Sequence, residues 1–471
     1  MFTSGVFGPI IRSLRSLEVA TRPISAESQA ALDQRWTKLP DHVKTAAQTL
    51  GRQALGCEGT HGVFPKCNLA CTPCYHSRDA NQVRVDGPHT RNAVLDQMRL
   101  LRSIRGPRAH AQLIGGEVSL LSPDDHAATL QIMREHGREP MSMSHGDFDY
   151  DYLRSLAVGG NGQRRFDRLS FAGHFDMMMF GRRGIRRPPD EESLNPFRAE
   201  FVARFARLRR EHGVRAFLAH NMTVTAANVD QIAAVVRDCG RMGFGLFSFQ
   251  PAAFVGDERR WRERDGAVTG DQVWAQIERG AGTRLPFRAF QHGDERCNRT
   301  TYGFYVGPTY YPILDDATPA DLAVRDAFQE HVAGITFGST AAPLLAGKLL
   351  RVITSHPSVL LHFGAWTLRT IAKVGAVNLL RHGVRPVTFV MHSFMDASVV
   401  APAWAALQRG EMLTDPALEE AQQRLQACSY AMAHAETGDL VPACAQHSVL
   451  DPIANIELRK QLPLTVLSRA G

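Results

Sequence analysis

From about residue 58 to residue 250 the chain alternates short apolar runs with longer amphipathic stretches, and that alternation restricts the fold more than any other feature. The runs Gly62–Lys66, Ala111–Ile114, Pro140–Ser144, Arg168–Gly173, Val214–His220 and Gly245–Gln250 have the length of strands. Between them Thr90–Ile104, Asp124–His136, Glu192–His212 and Ala227–Met242 carry apolar residues at helical spacing. Strands parted by helices imply parallel pairing with right-handed crossovers. Six such units are too few to close an eight-fold barrel. The expected fold class is therefore α/β, a partial (β/α)6 TIM-like barrel over residues 57–255. It is preceded by an N-terminal helical extension (1–56) and followed by a connector (256–285) and a C-terminal α+β auxiliary region (286–471). With 471 residues, 44% of them hydrophobic, the chain can bury a substantial core.

Cysteine usage narrows the chemistry. Of eight cysteines, three fall together in Lys66-Cys67-Asn68-Leu69-Ala70-Cys71-Thr72-Pro73-Cys74-Tyr75. A large chain in a reducing compartment rarely spends cysteine on disulfides, so such crowding points to metal or redox chemistry. Thiolates are soft ligands that favour iron–sulfur or zinc. Three at this spacing can ligate three irons of a cubane cluster and leave the fourth iron open to a ligand. A zinc knuckle lacking one ligand, or three buried thiols, is the plainer alternative. Gly115-Gly116-Glu117 follows the run Ala111–Ile114. Glycines let a backbone approach a ligand closely, and a carboxylate beside them can take a cationic amino group.

At these residues the sequence resembles the radical S-adenosylmethionine (SAM) superfamily, whose pattern is three cysteines spaced C-x3-C-x2-C on the loop after the first strand. The resemblance implies a [4Fe–4S] cluster on Cys67, Cys71 and Cys74, with SAM on the open iron and its methionine amino group near Gly115, Gly116 and Glu117. The position before the third cysteine is often aromatic in the family. Here it is Pro73, and Tyr75 follows the cysteine instead. Ser144 in Ser144-His145-Gly146, Ser170, Asn221 and Gln250 fall at or near the ends of later strands and complete the expected cofactor-binding set with Tyr75. The implied reaction is reductive cleavage of SAM to a 5′-deoxyadenosyl radical, which abstracts hydrogen from an unactivated carbon. An electron donor such as flavodoxin or ferredoxin is implied as a partner.

The second half adds detail. Cys428–His434 reads as a strand, Thr437-Gly438-Asp439 as a turn and Leu440–Cys444 as a returning strand, which brings Cys428 and Cys444 toward one end of a hairpin. Cys297 precedes the aromatic run Tyr302–Tyr305. Auxiliary-cluster regions of radical SAM enzymes supply ligands in this way, so Cys297, Cys428 and Cys444 are read as a second iron–sulfur site, against a reading as buried thiols. Cys239, on an amphipathic helix, is read as core. The order of Phe247–Pro251, Cys297, Met391–Asp396 and the cysteine hairpin resembles the tetraether-synthase-like branch, which includes enzymes that join lipid tails. That branch carries a further N-terminal cysteine-rich site, whereas residues 1–56 here contain no cysteine.

Residues 331–395 hold no Asp or Glu but six basic side chains: Lys348, Arg351, Arg369, Lys373, Arg381 and Arg385. The segment is amphipathic and broken by Pro357 and Gly364. It reads either as a surface helix pair on an anionic membrane or as buried helices whose basic tips reach solvent. The net charge of +7 fits acidic partners or simple solubility. No nucleic-acid motif is visible, and aromatics do not interleave with the basic residues. No secretory signal or membrane span is expected, so a cytoplasmic enzyme, peripheral on the inner membrane face, is the expectation. Three functions stay open: a radical SAM enzyme acting on a small molecule or lipid chain, a radical SAM maturase modifying a peptide, and a non-catalytic iron–sulfur or zinc protein.

Overall fold

The computed structural model of the protein describes residues 18–75, 85–255, 268–335, 340–454 and 457. Helix α1 (Ala26–Thr37) comes first, capped by the Ser25 side chain. Then follow β1 (Cys57–Gly59), β2 (Ala70–Cys71), α2 (Gly87–Arg105), β3 (Ala109–Leu113), α3 (Pro123–Glu135), β4 (Arg138–Ser144), α4 (Tyr150–Ala157), β5 (Arg168–His174) and β6 (Met179–Phe180). Next are α5 (Asn195–His212), β7 (Arg215–Val224), α6 (Ile232–Cys239), β8 (Leu246–Pro251), α7 (Gly270–Ala281), β9 (Asn298–Val306) and β10 (Thr309–Pro312). The last third holds α8 (Pro319–Ala327), α9 (Ala342–Ser355), α10 (Pro357–Val374), α11 (Ala376–His382), β11 (Arg385–His392), α12 (Ala397–Gln408), α13 (Pro416–Gln426), β12 (Tyr430–His434) and β13 (Asp439–Pro442). Local chemistry sets several boundaries. Asp86 and Ser122 cap α2 and α3 by accepting from His89 N and Asp125 N, and α5 stops at Gly213, whose φ of 69° is left-handed.

Eleven strands form one sheet in the order β10-β9-β11-β8-β7-β5-β4-β3-β1-β12-β13. Its centre is the expected half-barrel: β1, β3, β4, β5, β7 and β8 lie side by side in chain order, all parallel. Alternation along the strands sorts side chains to two faces. Phe171, Leu218 and Phe247 belong to the main core, which also takes in residues of helices α2 to α7 such as Met98, Leu130, Phe201, Val236 and Ile277. Cys239 is part of that core. Met143, Ala172, Ala219 and Leu246 stand in register on the other, inner face, in a small apolar group of their own with Met141 and Phe217.

The stretch read as a connector (256–285) carries helix α7, whose Val273, Trp274 and Ile277 join the main core, and two elements of the half-barrel also depart from the sequence reading. The first strand is Cys57–Gly59, whereas Gly62–Lys66 is loop. Gly62 takes a φ of 66° and Pro65 has no N–H to donate, so that run cannot join a ladder. The true strand escapes notice because it carries Glu58, an unusual core residue that is neutralised here by Arg138. The helix expected at Ala227 begins at Ile232, because the Asn228 side chain ties Thr225 N into a turn instead.

The last third extends both edges of the half-barrel. β11 joins β8 in parallel and β9 and β10 follow antiparallel, while β12 joins β1 in parallel and hairpins to β13. The two extensions meet where Asn298 Nδ2 donates to Ser429 Oγ at 2.8 Å. The N-terminal segment seals that junction: Thr49 N donates to Gln291 O at 2.8 Å, and Leu39, Val43 and Leu50 pack on Ala427. Helices α9 and α10 are bent by 109° at their junction, and among the described residues no single helix is long and apolar enough to cross a membrane.

Candidate functional site

The loop bearing the triplet is laid across the end of β3. Gly116 N donates to Phe64 O at 2.7 Å and Glu117 N to Lys66 O at 2.9 Å. A Cβ on Gly116 would sit 2.3 Å from Lys66 O, and one on Gly115 2.6 Å from the Phe64 ring. The paired glycines are thus the condition for residues 64–66 to rest on the 115–117 turn. Further along, β2 pairs with β6, matching Cys71 to Met179, and Thr72 N donates to Met178 O at 3.2 Å. The loop is therefore fixed on one side to β3 and on the other to the segment after β5.

The three thiols share one neighbourhood. Cys71 is held well above its ordinary value, first by a hydrogen bond with Cys74, then by burial and by the charges of Cys74, Cys67 and Asp176. Cys67 Sγ accepts from Leu69 N at 3.4 Å. Among the described residues no three His, Cys, Asp or Glu side chains are already spaced to hold a metal ion. The donor chemistry nevertheless suits an iron–sulfur cluster: thiolates crowded on one loop repel, and a cationic centre between them removes that cost. Tyr75, next in sequence, stacks on His447 with centroids 5.1 Å apart and packs on Phe394. Its hydroxyl is buried and has no hydrogen-bond partner among the described residues.

Glu117 is only 1% exposed. Its carboxylate accepts from Ser144 Oγ at 2.7 Å, His145 N at 2.8 Å and Ser119 N at 3.0 Å. Ser144 Oγ in turn accepts from Gly146 N at 2.9 Å. Asp147 N donates to His145 Nδ1 at 3.0 Å, so the ring proton sits on Nε2, which donates to Asn68 Oδ1 at 2.8 Å. Burial holds His145 below its ordinary value, against the opposing pull of Glu117, and keeps the ring neutral. One chain of bonds, Asn68–His145–Glu117–Ser144, therefore links the cysteine loop, the Gly-Gly-Glu turn and the end of β4. The expectation had Glu117 facing a ligand amine; in this structure its oxygens are engaged by protein donors.

The remaining expected residues lie along the inner face. Asn221 is buried and stands in register between His174 and Ser248, while Gln250 Nε2 donates to Ser248 Oγ at 2.7 Å and pairs with Thr223 in register. His174 Nε2 lies 2.7 Å from Asp176 Oδ2 and 3.2 Å from Thr223 Oγ1. Asn221 and Gln250 thus gather with His174, Thr223 and Ser248 in a polar group at the carboxyl ends of β5, β7 and β8. Ser170 does not join it: it is the third residue of β5, deeper in the barrel, opposite Phe217. Asn68 and Asp176 were not singled out from sequence. The usable signal was a polar side chain inside the cysteine motif or two residues beyond a strand end.

The hairpin at the carboxyl end forms as expected. Its register, Ala431 opposite Pro442, sets Cys428 and Cys444 at the open end. Cys297 is also near, because its charge acts on Cys444. The three thiols act on one another, and each also has protein neighbours of its own. Arg424 Nε lies 3.2 Å from Cys297 Sγ and Cys428 Sγ donates to Tyr430 O at 3.0 Å. Cys444 packs with Met395, Val400 and Leu425. Burial pushes the Cys297 thiol up to about 11.

No family model matches the chain, and no curated protein matches it. Among solved structures, "Native anSMEcpe with bound AdoMet" is similar over 47% of this chain and 57% of its own, at 14% identity and a TM-score of 0.30. "Structure of TYW1 with a lysine-pyruvate adduct bound" is similar over 57% of this chain and 89% of its own, at 11% identity and a TM-score of 0.32. The matched region spans little more than half of the first of these proteins.

Proposed function

We propose that the protein is a radical SAM enzyme that takes a hydrogen atom from an unactivated carbon of a lipid chain. The observation that carries the reading is the bonded path from the C-x3-C-x2-C loop through Asn68, His145 and Glu117 to Ser144, at the carboxyl end of a parallel half-barrel. A zinc knuckle has no need of it. In this reading Cys67, Cys71 and Cys74 would hold a [4Fe–4S] cluster, and Asn221 and Gln250 would help to hold SAM. When bound, the pair supplies a reductively generated 5′-deoxyadenosyl radical.

The chain's own residues do four things. Gly115 and Gly116 let the cysteine loop seat on β3. Glu117, held by three donors, fixes the end of β4 against that loop and places a buried negative charge beside the site. Neutral His145 donates a hydrogen bond from Nε2 to Asn68 Oδ1 and so orients the residue between the first two cysteines. Phe394 and His447 pack on Tyr75 and fix the residue that follows the third cysteine. The lipid assignment rests on the apolar surface of α9–α11, taken up below.

Anaerobic reconstitution followed by assay of 5′-deoxyadenosine after dithionite and SAM tests the chemistry. The expected result is about four irons per chain and SAM cleavage, both lost in Cys71→Ala. A chain that binds zinc alone, or a Cys71→Ala variant with full SAM cleavage, overturns the reading. For the substrate, perdeuterated acyl or isoprenoid lipid should place deuterium in the 5′-deoxyadenosine. Label-free product in the presence of such lipids refutes the lipid assignment while leaving the radical chemistry intact.

A further inference from the structure

Helices α9, α10 and α11 show apolar residues on two opposite sides. Their inner side is spent on the protein. Val352 and Val359 pack with Val332 and Ile335, Val374 packs with Phe304 and Val306, and Trp366 Nε1 donates to Ile313 O at 2.8 Å. The outer side should then be polar, as on an ordinary surface helix. It is not. Leu361 is 74% exposed, Leu368 70%, Val377 76% and Leu380 89%, with Leu350 and Leu360 also beyond half exposure. Apolar groups gathered this way on one arm mark a binding surface.

Charge identifies the occupant. No Asp or Glu occurs between residues 331 and 395. Some of the six cations are used internally: Arg351 bonds Glu18, Lys348 reaches the Arg22 and Pro23 carbonyls, and Arg369 pairs with Asp321. Lys373 lies one turn beyond Arg369 and its charge acts on Asp315, whereas Arg381 stays exposed beside Val377 and Leu380. A second copy of this arm would set like charges against each other. A surface that is apolar below and negative above suits both features, and the 109° bend lays the arm along such a surface rather than through it.

We propose that the outer face of α9–α11 docks the protein on an anionic lipid bilayer, with Leu361, Leu368, Val377 and Leu380 in the acyl boundary and Arg381 at the headgroups. This rests on the exposed face alone and not on the radical chemistry, so binding is read without SAM or cluster.

Flotation of the full chain with phosphatidylglycerol–phosphatidylcholine vesicles, compared with phosphatidylcholine alone, tests it. The parent should float with the anionic vesicles, and less so as salt rises. Leu361→Glu with Leu368→Glu should weaken partitioning about a hundredfold, since two buried leucines are lost. Arg381→Gln, which removes one positive charge, should weaken it about fivefold on anionic vesicles only. All three sites are exposed, so melting temperatures should not move, and circular dichroism checks that. Failure of the parent to float, equal floating of parent and variants, or a parent dimer split by the leucine pair without any vesicle binding would each overturn the proposal.

Discussion

Glu58 offers the sharpest energetic test. It lies in β1, fully buried, with Arg138 donating from Nε to Oε2 at 2.9 Å and from Nη2 to Oε1 at 3.1 Å. Arg138 also donates through Nη1 to the carbonyls of Gly106 and His136, at 2.9 and 2.7 Å. Arg105 Nη1 approaches Glu58 Oε1 at 3.9 Å and donates to Cys57 O at 3.1 Å. Glu58→Ala would leave two guanidinium groups in the interior facing a void. Breaking a buried pair by removing one partner costs about 3–5 kcal/mol, and the second guanidinium argues for the upper half of that range. The carbonyl bonds of Arg138 survive, so the loss belongs to the ion pair and its desolvation. Urea unfolding followed by circular dichroism measures it. A double-mutant cycle with Arg138→Ala should return an interaction energy of about 2–3 kcal/mol. A coupling below about 0.5 kcal/mol would refute the reasoning and make Glu58 a bystander. Because β1 runs into the cysteine loop, the same variant should also retain less iron after reconstitution.

Two further outcomes are expected. His126 is wholly buried, with Nε2 2.8 Å from Ser142 Oγ, and burial lowers it from 6.5 to about 3. Below pH 6.5 the unfolded ring takes a proton that the folded ring refuses, so the His126 contribution to stability should be flat above that value and fall by about 1.4 kcal/mol per pH unit beneath it. Urea midpoints at pH 7.5 and 5.5, with and without His126→Gln, check the sign and the share. Asn68→Ala removes the acceptor of His145 Nε2 and should lower SAM cleavage about 10–100-fold. It should also shift the electron paramagnetic resonance spectrum of the reduced cluster; an unchanged spectrum would assign Asn68 to folding alone.

The parallel half-barrel was legible because its strands from β3 onward are apolar and its crossovers have helical period. The first strand was not, because one buried carboxylate satisfied by a residue far along the chain looks like a surface position. The cysteine triplet and Gly115–Glu117 could be read from local spacing. Their connection could not: Asn68 and His145 meet only after two strands are placed side by side. Ser170 was misjudged by depth, since a strand-end position depends on where the strand begins. The outer leucines of α10 and α11 were visible as letters, but only packing decides which side of a helix is left over.

The pairing of β12 with β1 has a consequence for synthesis. Cys57 must wait for Tyr430 before the outer edge of its strand is covered. A ribosome-bound chain that has released the whole six-stranded centre still presents an open ladder beside the cysteine loop, the kind of edge that recruits stray strands. His447 arrives on Tyr75 later still. Maturation of the site therefore waits for β12, and a chain truncated before residue 430 would be expected to aggregate rather than load iron.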